Sequence, residues 1–170
     1  MELTYENVSA WFDQYFKEVV ANIGPLETVP KNGKFFTDDF TYAYHTVPAT
    51  AEFTRGLASR EQLLSQMVHP GLREIIKPKY YAINLKEMIC VVRFEDNMVA
   101  DSGELVAQPF QASAHYTFVP AADTGIKIKL LEYWTSNQTP ENIAKTQAAW
   151  FKYSKDAFKG IVFDWLRARY

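Results

Sequence analysis

The chain has 170 residues and a formal net charge of −2, and its 48% hydrophobic and 22% charged residues are ordinary for one soluble globular domain. Its 18 basic residues are scattered, without a run that would follow a phosphate backbone, which argues against nucleic-acid binding. The single cysteine, Cys90, excludes an internal disulfide framework and a cysteine-based zinc cluster.

The N-terminal segment predicts a long amphipathic helix. Apolar residues recur at helical spacing over residues 5–23, and polar residues occupy the opposite side. Thr4 can cap the start of this helix, and Gly24 with the proline after it ends the helix.

The next segment predicts a strand, a loop and a short helix. Residues 35–44 are rich in aromatic residues and threonine, which is typical of a strand, and residues 47–54 are predicted to be a loop. Ser59 and Gln62 form a capping box that opens a short helix ending near His69.

The second half of the chain has the alternating pattern of β-strands, followed by one helix. A bulge or a sheet edge is expected at Pro109, and Gly125 ends a turn. The predicted strands cover residues 79–86, 88–94, 99–102, 104–119 and 126–135. A C-terminal helix is predicted over about residues 140–169, and it is too aromatic to remain exposed.

The last predicted strand carries a carboxylate where an apolar residue is expected. Lys127 and Lys129 mark its solvent-facing side, so the alternation of a strand directs Glu132 inward. The other residues predicted on that inner face are Ile126, Ile128, Leu130 and Trp134. Burial raises the pKa of a carboxyl group, and enzymes use such groups for acid–base chemistry. Glu132 is therefore the first candidate for a catalytic group.

The order of the elements predicts an α+β fold, since helices precede a run of long antiparallel strands. Three segments also resemble sequence patterns of SnoaL-like polyketide cyclases in the nuclear transport factor 2-like superfamily. They are Phe36-Thr-Asp-Asp-Phe-Thr-Tyr42, Gly56-Leu-Ala-Ser-Arg-Glu-Gln-Leu63 and Gly125-Ile-Lys-Ile-Lys-Leu-Leu-Glu-Tyr-Trp134. The acid that closes the last of these family patterns is absent, and Thr135 and Ser136 follow instead.

This resemblance covers about residues 3–137 and implies a particular architecture. A cone-shaped, curved antiparallel sheet would wrap around the long N-terminal helix, with the C-terminal helix as an addition, and residues 1–170 would form a single domain. Superfamily members include cyclases, ketosteroid isomerases, dehydratases, epoxide hydrolases and non-catalytic binding proteins, so the site must be argued separately. The resemblance implies chemistry without a cofactor.

The strand before Glu132 has one polar and one apolar face. Gln111, Ser113 and His115 share the polar face. If that face turns inward, His115 lies opposite Glu132 as its partner in proton transfer, whereas the reverse orientation leaves His115 at the surface. Dehydratases of the superfamily carry polar residues at the matching positions, which implies substrate contacts for Gln111 and Ser113.

Aromatic residues supply the remaining candidates. Tyr42 and Tyr44 alternate inward with Phe40, and their hydroxyl groups are suited to holding an oxyanion or orienting a water molecule. Tyr15 belongs mainly to the core side of the first helix but can reach the interior, as a phenol does in the isomerases of the superfamily. Trp134, Phe40 and Tyr15 are predicted to shape the cavity.

Two alternatives stay open. Limonene-epoxide hydrolases carry similar patterns, matched here by Tyr44-His-Thr-Val-Pro48, Arg93-Phe-Glu95 and Glu132-Tyr-Trp-Thr135. Both acids are lengthened to glutamate, however, and the alternation of its strand places Arg93 on the solvent side. The other alternative is a module that binds a small ligand without turnover.

The leading interpretation is a cofactor-free isomerase or lyase that acts by acid–base catalysis on a small hydrophobic, oxygenated metabolite of polyketide or terpenoid type, in secondary metabolism. Glu132, His115 and Tyr44 are the predicted catalytic residues. The predicted substrate-binding residues are Tyr42, Trp134, Tyr15, Phe40, Gln111 and Ser113. No metal site is expected, because the three histidines are far apart in the sequence. A cytoplasmic protein is expected, since neither a secretory signal nor an apolar run of membrane-spanning length is present. A homodimer is also expected, with the aromatic C-terminal helix packing on the domain or on a second subunit.

Overall fold

The computed structural model describes residues 1–46, 58–69, 71–106 and 109–136, together with residues 141 and 148. In these ranges the helices are α1 (Tyr5–Asn22), a 3-10 helix (Val29–Phe35) and α2 (Arg60–Gln66). The strands are β1 (Phe36–Thr46), β2 (Ala58–Ser59), β3 (Leu72–Asn84), β4 (Ile89–Ala100), β5 (Phe110–Ala121) and β6 (Gly125–Ser136).

Helix α1 has the boundaries that its capping residues predict. The Thr4 hydroxyl accepts a hydrogen bond from the backbone N–H of Asn7 at 3.2 Å, which satisfies one of the free amides of the first turn. The chain leaves the helix at Gly24, which has a φ of +115° and lies close to the backbone of Leu72. A side chain would be strained in that conformation, so glycine is required at this helix end.

Helix α2 begins with the predicted capping box. The Ser59 hydroxyl accepts from the backbone N–H of Gln62, and the Gln62 side chain accepts from the backbone N–H of Ser59. Two otherwise unsatisfied amides are paired in this way, which stabilises a short helix. The loop predicted over residues 47–54 lies outside the described residues.

The six strands form one curved, unclosed sheet in the order β2-β1-β6-β5-β4-β3. Neighbouring strands are antiparallel except β1 and β6, which are parallel. Helix α1 packs against the concave face, where Phe12 contacts the ring of Tyr116 at 5.0 Å and Phe16 contacts that of Phe94 at 5.9 Å. The predicted α+β cone around a long first helix is confirmed.

Three strand boundaries differ from the prediction. β3 begins at Leu72, earlier than the predicted residue 79, and β4 continues without a break to Ala100. Charged residues inside these strands obscured the alternation of the sequence. β5 begins at Phe110, directly after Pro109, because proline has no amide hydrogen for the ladder.

The predicted C-terminal helix is described only in part. Glu141 and Ala148 are helical and exposed, and the remainder of residues 140–169 lies outside the described residues. Among the described residues, no helix combines the length and the apolar character needed to cross a membrane.

A bulge at Lys129 decides which side chains of β6 face inward. Phe118 pairs with Ile128 and Thr117 pairs with Leu130, so Lys129 is an extra residue without a partner on β5. The faces of β6 are therefore exchanged beyond this point. Ile128 is buried before the bulge, and Leu131, at 5% exposure, is buried after it.

Candidate active site

The predicted inward orientation of Glu132 is wrong. Because of the bulge, Leu131 and Tyr133 face the core, and Glu132 lies between them on the outer face of the sheet. Its side chain is 38% exposed. The sequence-based alternation was correct up to Ile128 and failed one residue later, at Lys129.

The structure decides between the two orientations that the sequence left open for β5. Ala112, Ala114, Tyr116 and Phe118 form the buried inner face. Gln111, Ser113 and His115 therefore lie on the outer face, which excludes the alternative in which they line the interior. His115 does lie directly opposite Glu132 in the strand register, as predicted, but outside the cone.

Glu132 and His115 belong to an outer-face cluster with His45 and Trp134. The Trp134 ring lies 5.0 Å from that of His45 and 4.3 Å from that of His115. The Nε2 atom of His45 is 4.0 Å from a carboxylate oxygen of Glu132. The orientation predicted for Trp134 is thus wrong as well, while the catalytic roles proposed for Glu132 and His115 stay untested predictions.

Three of the predicted interior residues do face inward. Tyr15, Phe40 and Tyr42 are buried in the core, at 2%, 3% and 8% exposure. Tyr44 lies opposite Tyr133 in the parallel register of β1 and β6, but its side chain is outside the description. The substrate contacts of these residues, and the catalytic role of Tyr44, stay predictions.

The inner face carries two carboxyl groups that the sequence reasoning missed. Asp96 follows Cys90, Val92 and Phe94 on the core side of β4 and is only 2% exposed. Glu74 lies on β3 between Leu72 and Ile76, and is diagonal to Asp96 across the ladder. The signal was available, because the alternation that put Val92 and Phe94 on the core side also puts Asp96 there.

A hydrogen-bond network joins these two groups to β6. The Tyr133 hydroxyl donates to Oδ2 of Asp96 at 2.9 Å. The Asp96 and Glu74 carboxyl groups also share a hydrogen bond, which requires a proton on one of them. Tyr133 reaches Asp96 only because the bulge turns it inward, so the same irregularity that removes Glu132 from the interior completes this site.

Burial sets the protonation of the pair. Burial raises the pKa of Glu74, and burial followed by repulsion from Glu74 raises the pKa of Asp96 well above its ordinary value. The hydrogen bond from Tyr133 lowers the pKa of Asp96 and so opposes these two effects. Two carboxylates in contact in the interior cannot both ionise readily, so at least one of the two groups carries a proton, which forms the hydrogen bond between them.

The two carboxyl groups differ in access. Asp96 is buried from solvent. Part of the Glu74 surface remains accessible to solvent, although the surrounding protein desolvates its carboxyl group. Glu74 is therefore the member of the pair that solvent reaches.

Phenol groups adjoin the pair on the side of α1. The negative charge of Glu74 contributes to a raised pKa of Tyr15, for which burial is the main cause, and Tyr116 interacts with the Tyr15 hydroxyl. Both phenols therefore stay neutral hydrogen-bond donors at physiological pH. Tyr15 thus interacts with Glu74, and the substrate contact predicted for Tyr15 stays a prediction.

Two further site predictions concern metal binding and epoxide hydrolysis. Among the described residues, no group of three or more His, Cys, Asp or Glu side chains is arranged to hold a metal ion. Arg93, the arginine of the hydrolase pattern, is exposed on the outer face, as the alternation of β4 predicted.

Comparison with known proteins supports the fold without a sequence relationship. No family model and no curated protein matches the chain. AusH from Aspergillus nidulans, 10% identical, superposes with a TM-score of 0.58 over 94% of this chain and 99% of its own. ActVI-ORFA from Streptomyces coelicolor, 11% identical, superposes with a TM-score of 0.57 over 79% of this chain and 98% of its own. A proposed isomerase from Rhodopseudomonas palustris, 7% identical, superposes with a TM-score of 0.55 over 85% of this chain and 99% of its own.

At identities this low, the likeness defines the fold and no more. The three matches share a cone-type α+β architecture with the chain, which is the fold that the sequence patterns implied. The chain therefore shares its α+β fold with these three structures.

Proposed function

We propose that this protein is an isomerase or lyase that moves a proton on a small hydrophobic, oxygenated metabolite of polyketide or terpenoid type, inside the cone. The observation that carries the proposal is the buried pair of Asp96 and Glu74, held by Tyr133 at 2.9 Å. The likeness in fold to a proposed isomerase agrees with this class of reaction.

In the proposed mechanism, Glu74 is the group that contacts the substrate. Its carboxylate removes a proton from carbon or oxygen, and Asp96 stabilises it through their shared hydrogen bond. The raised pKa of Glu74 makes it a stronger base than an exposed glutamate, so its pKa lies closer to that of the group from which it removes the proton. The Tyr15 phenol, which is neutral, is suited to hold the substrate oxygen on which negative charge develops.

Proton transfer from carbon is directly measurable with 2-tetralone in deuterium oxide. The wild-type protein is expected to accelerate exchange of the α-hydrogens, followed by NMR. Glu74→Gln keeps the shape of the side chain but removes the base, and should lower the rate on the order of 10²- to 10⁴-fold. Glu95→Gln is the matched control, because Glu95 is next to Asp96 but belongs to the opposite face of β4, where Lys77 lies 3.8 Å away.

The same assay separates this proposal from its competitors. If Glu132→Gln abolished exchange and Glu74→Gln did not, the active site would be the outer-face cluster. If the wild-type protein bound 2-tetralone and none of the variants changed the exchange rate, the protein would be a binding module.

A further inference from the structure

We infer that the C-terminal segment of the chain, residues 141–169, packs as a helix on the outer face of its own sheet, over the outer-face cluster. The sequence left open whether this segment packs on the domain or on a second subunit, and three observations favour the domain. They are the character of the outer face, the path of the chain after β6 and the side of the helix that is exposed. The inference is independent of the proposed function.

The outer face carries aromatic and apolar side chains on the side of the sheet away from α1. His45, Trp134 and His115 stand side by side on β1, β6 and β5, and the Trp134 ring is nearly parallel to that of His45, at 18°. Leu130 and Val91 lie on the same face and are partly exposed. The Nε2 atom of His45 is buried and has no hydrogen-bond partner among the described residues. Such burial is costly, so we expect a polar group from outside the described residues to reach this atom.

The path of the chain brings the C-terminal segment to this face. β6 ends at Ser136 and Glu141 is already helical, so only residues 137–140 connect them. Connections this short usually join elements that are neighbours in space. A helix over residues 141–169 would be about 43 Å long, and the 12 residues of β6 span about 40 Å, so the helix can cover the strand when it folds back along it. Since α1 occupies the inner face, the outer face remains for this helix.

The exposed side of the helix agrees with this arrangement. Glu141 and Ala148 are both exposed and are seven residues apart, so they lie on the same side. At helical spacing that side continues with lysines, and the opposite side carries a stripe of large apolar residues. The lysines are Lys145, Lys152, Lys155 and Lys159, and the apolar stripe comprises Ile143, Trp150, Phe151, Phe158, Ile161 and Trp165. We expect the aromatic side chains of the apolar stripe to pack on the rings of the outer-face cluster.

The first test measures whether the outer face is covered in the full chain. Ser113→Cys places a thiol on the outer face of β5, and Ser102→Cys is the matched control in an exposed turn. We expect the thiol at position 113 to react with a soluble aromatic disulfide reagent at least about tenfold more slowly than the thiol at position 102. Cys90 is buried and should not react in the folded protein.

A pair of neighbouring variants then asks whether the apolar stripe is the cover. Phe158→Asp should raise the reaction rate of the thiol at position 113 toward that of the control, because a charge in the apolar stripe disfavours packing on the sheet. Lys159→Asp introduces the same residue one position later, on the exposed side, and should leave the rate unchanged. Urea denaturation verifies that each variant is folded before its thiol is measured.

A spin label provides a second measurement that leaves the apolar stripe intact. A nitroxide attached at Lys152→Cys, on the exposed side, should broaden the indole N–H NMR signal of Trp134. The signal of Trp11 should broaden less, because its indole lies with α1 on the inner side and donates to the carbonyl of Thr124 at 2.7 Å. Mixing a spin-labelled chain with an isotope-labelled chain tests the partner, and we expect no broadening of Trp134 between chains.

Four results would overturn the inference. Equal reaction of the two thiols would mean that the outer face is open, and sedimentation of the same protein with anionic lipid vesicles would then identify the apolar stripe as a membrane-binding face. Protection unaffected by Phe158→Asp would mean that another segment covers the outer face. Equal loss of protection in Phe158→Asp and Lys159→Asp would mean that the effect does not come from the apolar stripe. Broadening of Trp134 only between mixed chains would mean that the segment packs on a second copy.

Discussion

At the scale of single residues, Tyr133 connects the sheet to the carboxyl pair. Its hydroxyl donates to Asp96 at 2.9 Å, and its ring packs on Phe94 at 5.5 Å, so both ends of the side chain are held. The hydrogen bond favours the ionised form of Asp96 and thereby lowers the pKa of that group, against the effect of burial. In the proposed mechanism, Tyr133 is thus a positioning residue that tunes the pair without contacting the substrate.

Replacement of Tyr133 by phenylalanine should move the pH dependence of exchange. Without the hydroxyl, the ionised form of Asp96 is less stable, so the pair holds its proton to higher pH. We expect the limb of the pH–rate profile that reports ionisation of the pair to shift upward by about one pH unit. Tyr80→Phe is the control, since Tyr80 is 55% exposed on β3. An unchanged profile in Tyr133→Phe would show that the hydroxyl does not tune the pair.

At the scale of elements, the bulge of β6 limits what could be predicted from the sequence. Helix α1, the capping box of α2 and the faces of β6 as far as Ile128 follow from local spacing and were predicted correctly. The position of an extra residue in a ladder depends on how the partner strands pair. The sequence of β6 alone therefore does not predict the bulge at Lys129. The buried carboxyl group of Asp96 was predictable, because no irregularity separates it from Phe94.

The two neighbouring leucines of β6 test the bulge directly. Leu131 is 5% exposed in the core, whereas Leu130, on the outer face, is partly exposed. Leu131→Ala should lower the free energy of unfolding by about 2–5 kcal/mol through lost burial and the cavity left behind. Leu130→Ala should cost about 1 kcal/mol or less. Urea denaturation measures both, and a larger effect at Leu130 would mean that the alternation continues through Lys129.

At the scale of the whole molecule, the chain adopts a fold that solved structures share, although no family model matches its sequence. The cone requires only a long apolar helix and strands that alternate, and many sequences satisfy these conditions. The chemistry proposed inside the cone depends on Glu74, Asp96 and Tyr133, whereas the catalytic roles predicted for Glu132 and His115 remain untested. The site therefore has to be argued separately from the fold.

The buried pair should also govern how stability depends on pH. The pKa of Asp96 is raised in the folded protein, so its contribution to stability is full below its ordinary pKa and is lost as the pH rises through the folded value. The free energy of unfolding of the wild-type protein, relative to Asp96→Asn, should therefore fall between pH 4.5 and pH 7.5.

His69 also makes the free energy of unfolding depend on pH, with the opposite sign, and its contribution cancels in this comparison. Burial lowers the pKa of His69 to about 4, so its contribution is present above its ordinary pKa and lost as the pH falls. Because both proteins retain His69, their difference isolates the carboxyl pair. Urea denaturation at several pH values gives that difference, and a value independent of pH would contradict a raised pKa at Asp96.

The central claim is that Glu74 and Asp96 share a proton inside the cone, and carboxyl-carbon NMR titration measures this most directly. With the two signals assigned through Glu74→Gln and Asp96→Asn, we predict that they shift together, in two steps. The last proton should leave well above the range in which Asp123 titrates, since Lys127 lowers the pKa of that exposed group. Independent titration of Glu74 and Asp96 in the ordinary carboxyl range would contradict the shared proton and the catalytic role built on it.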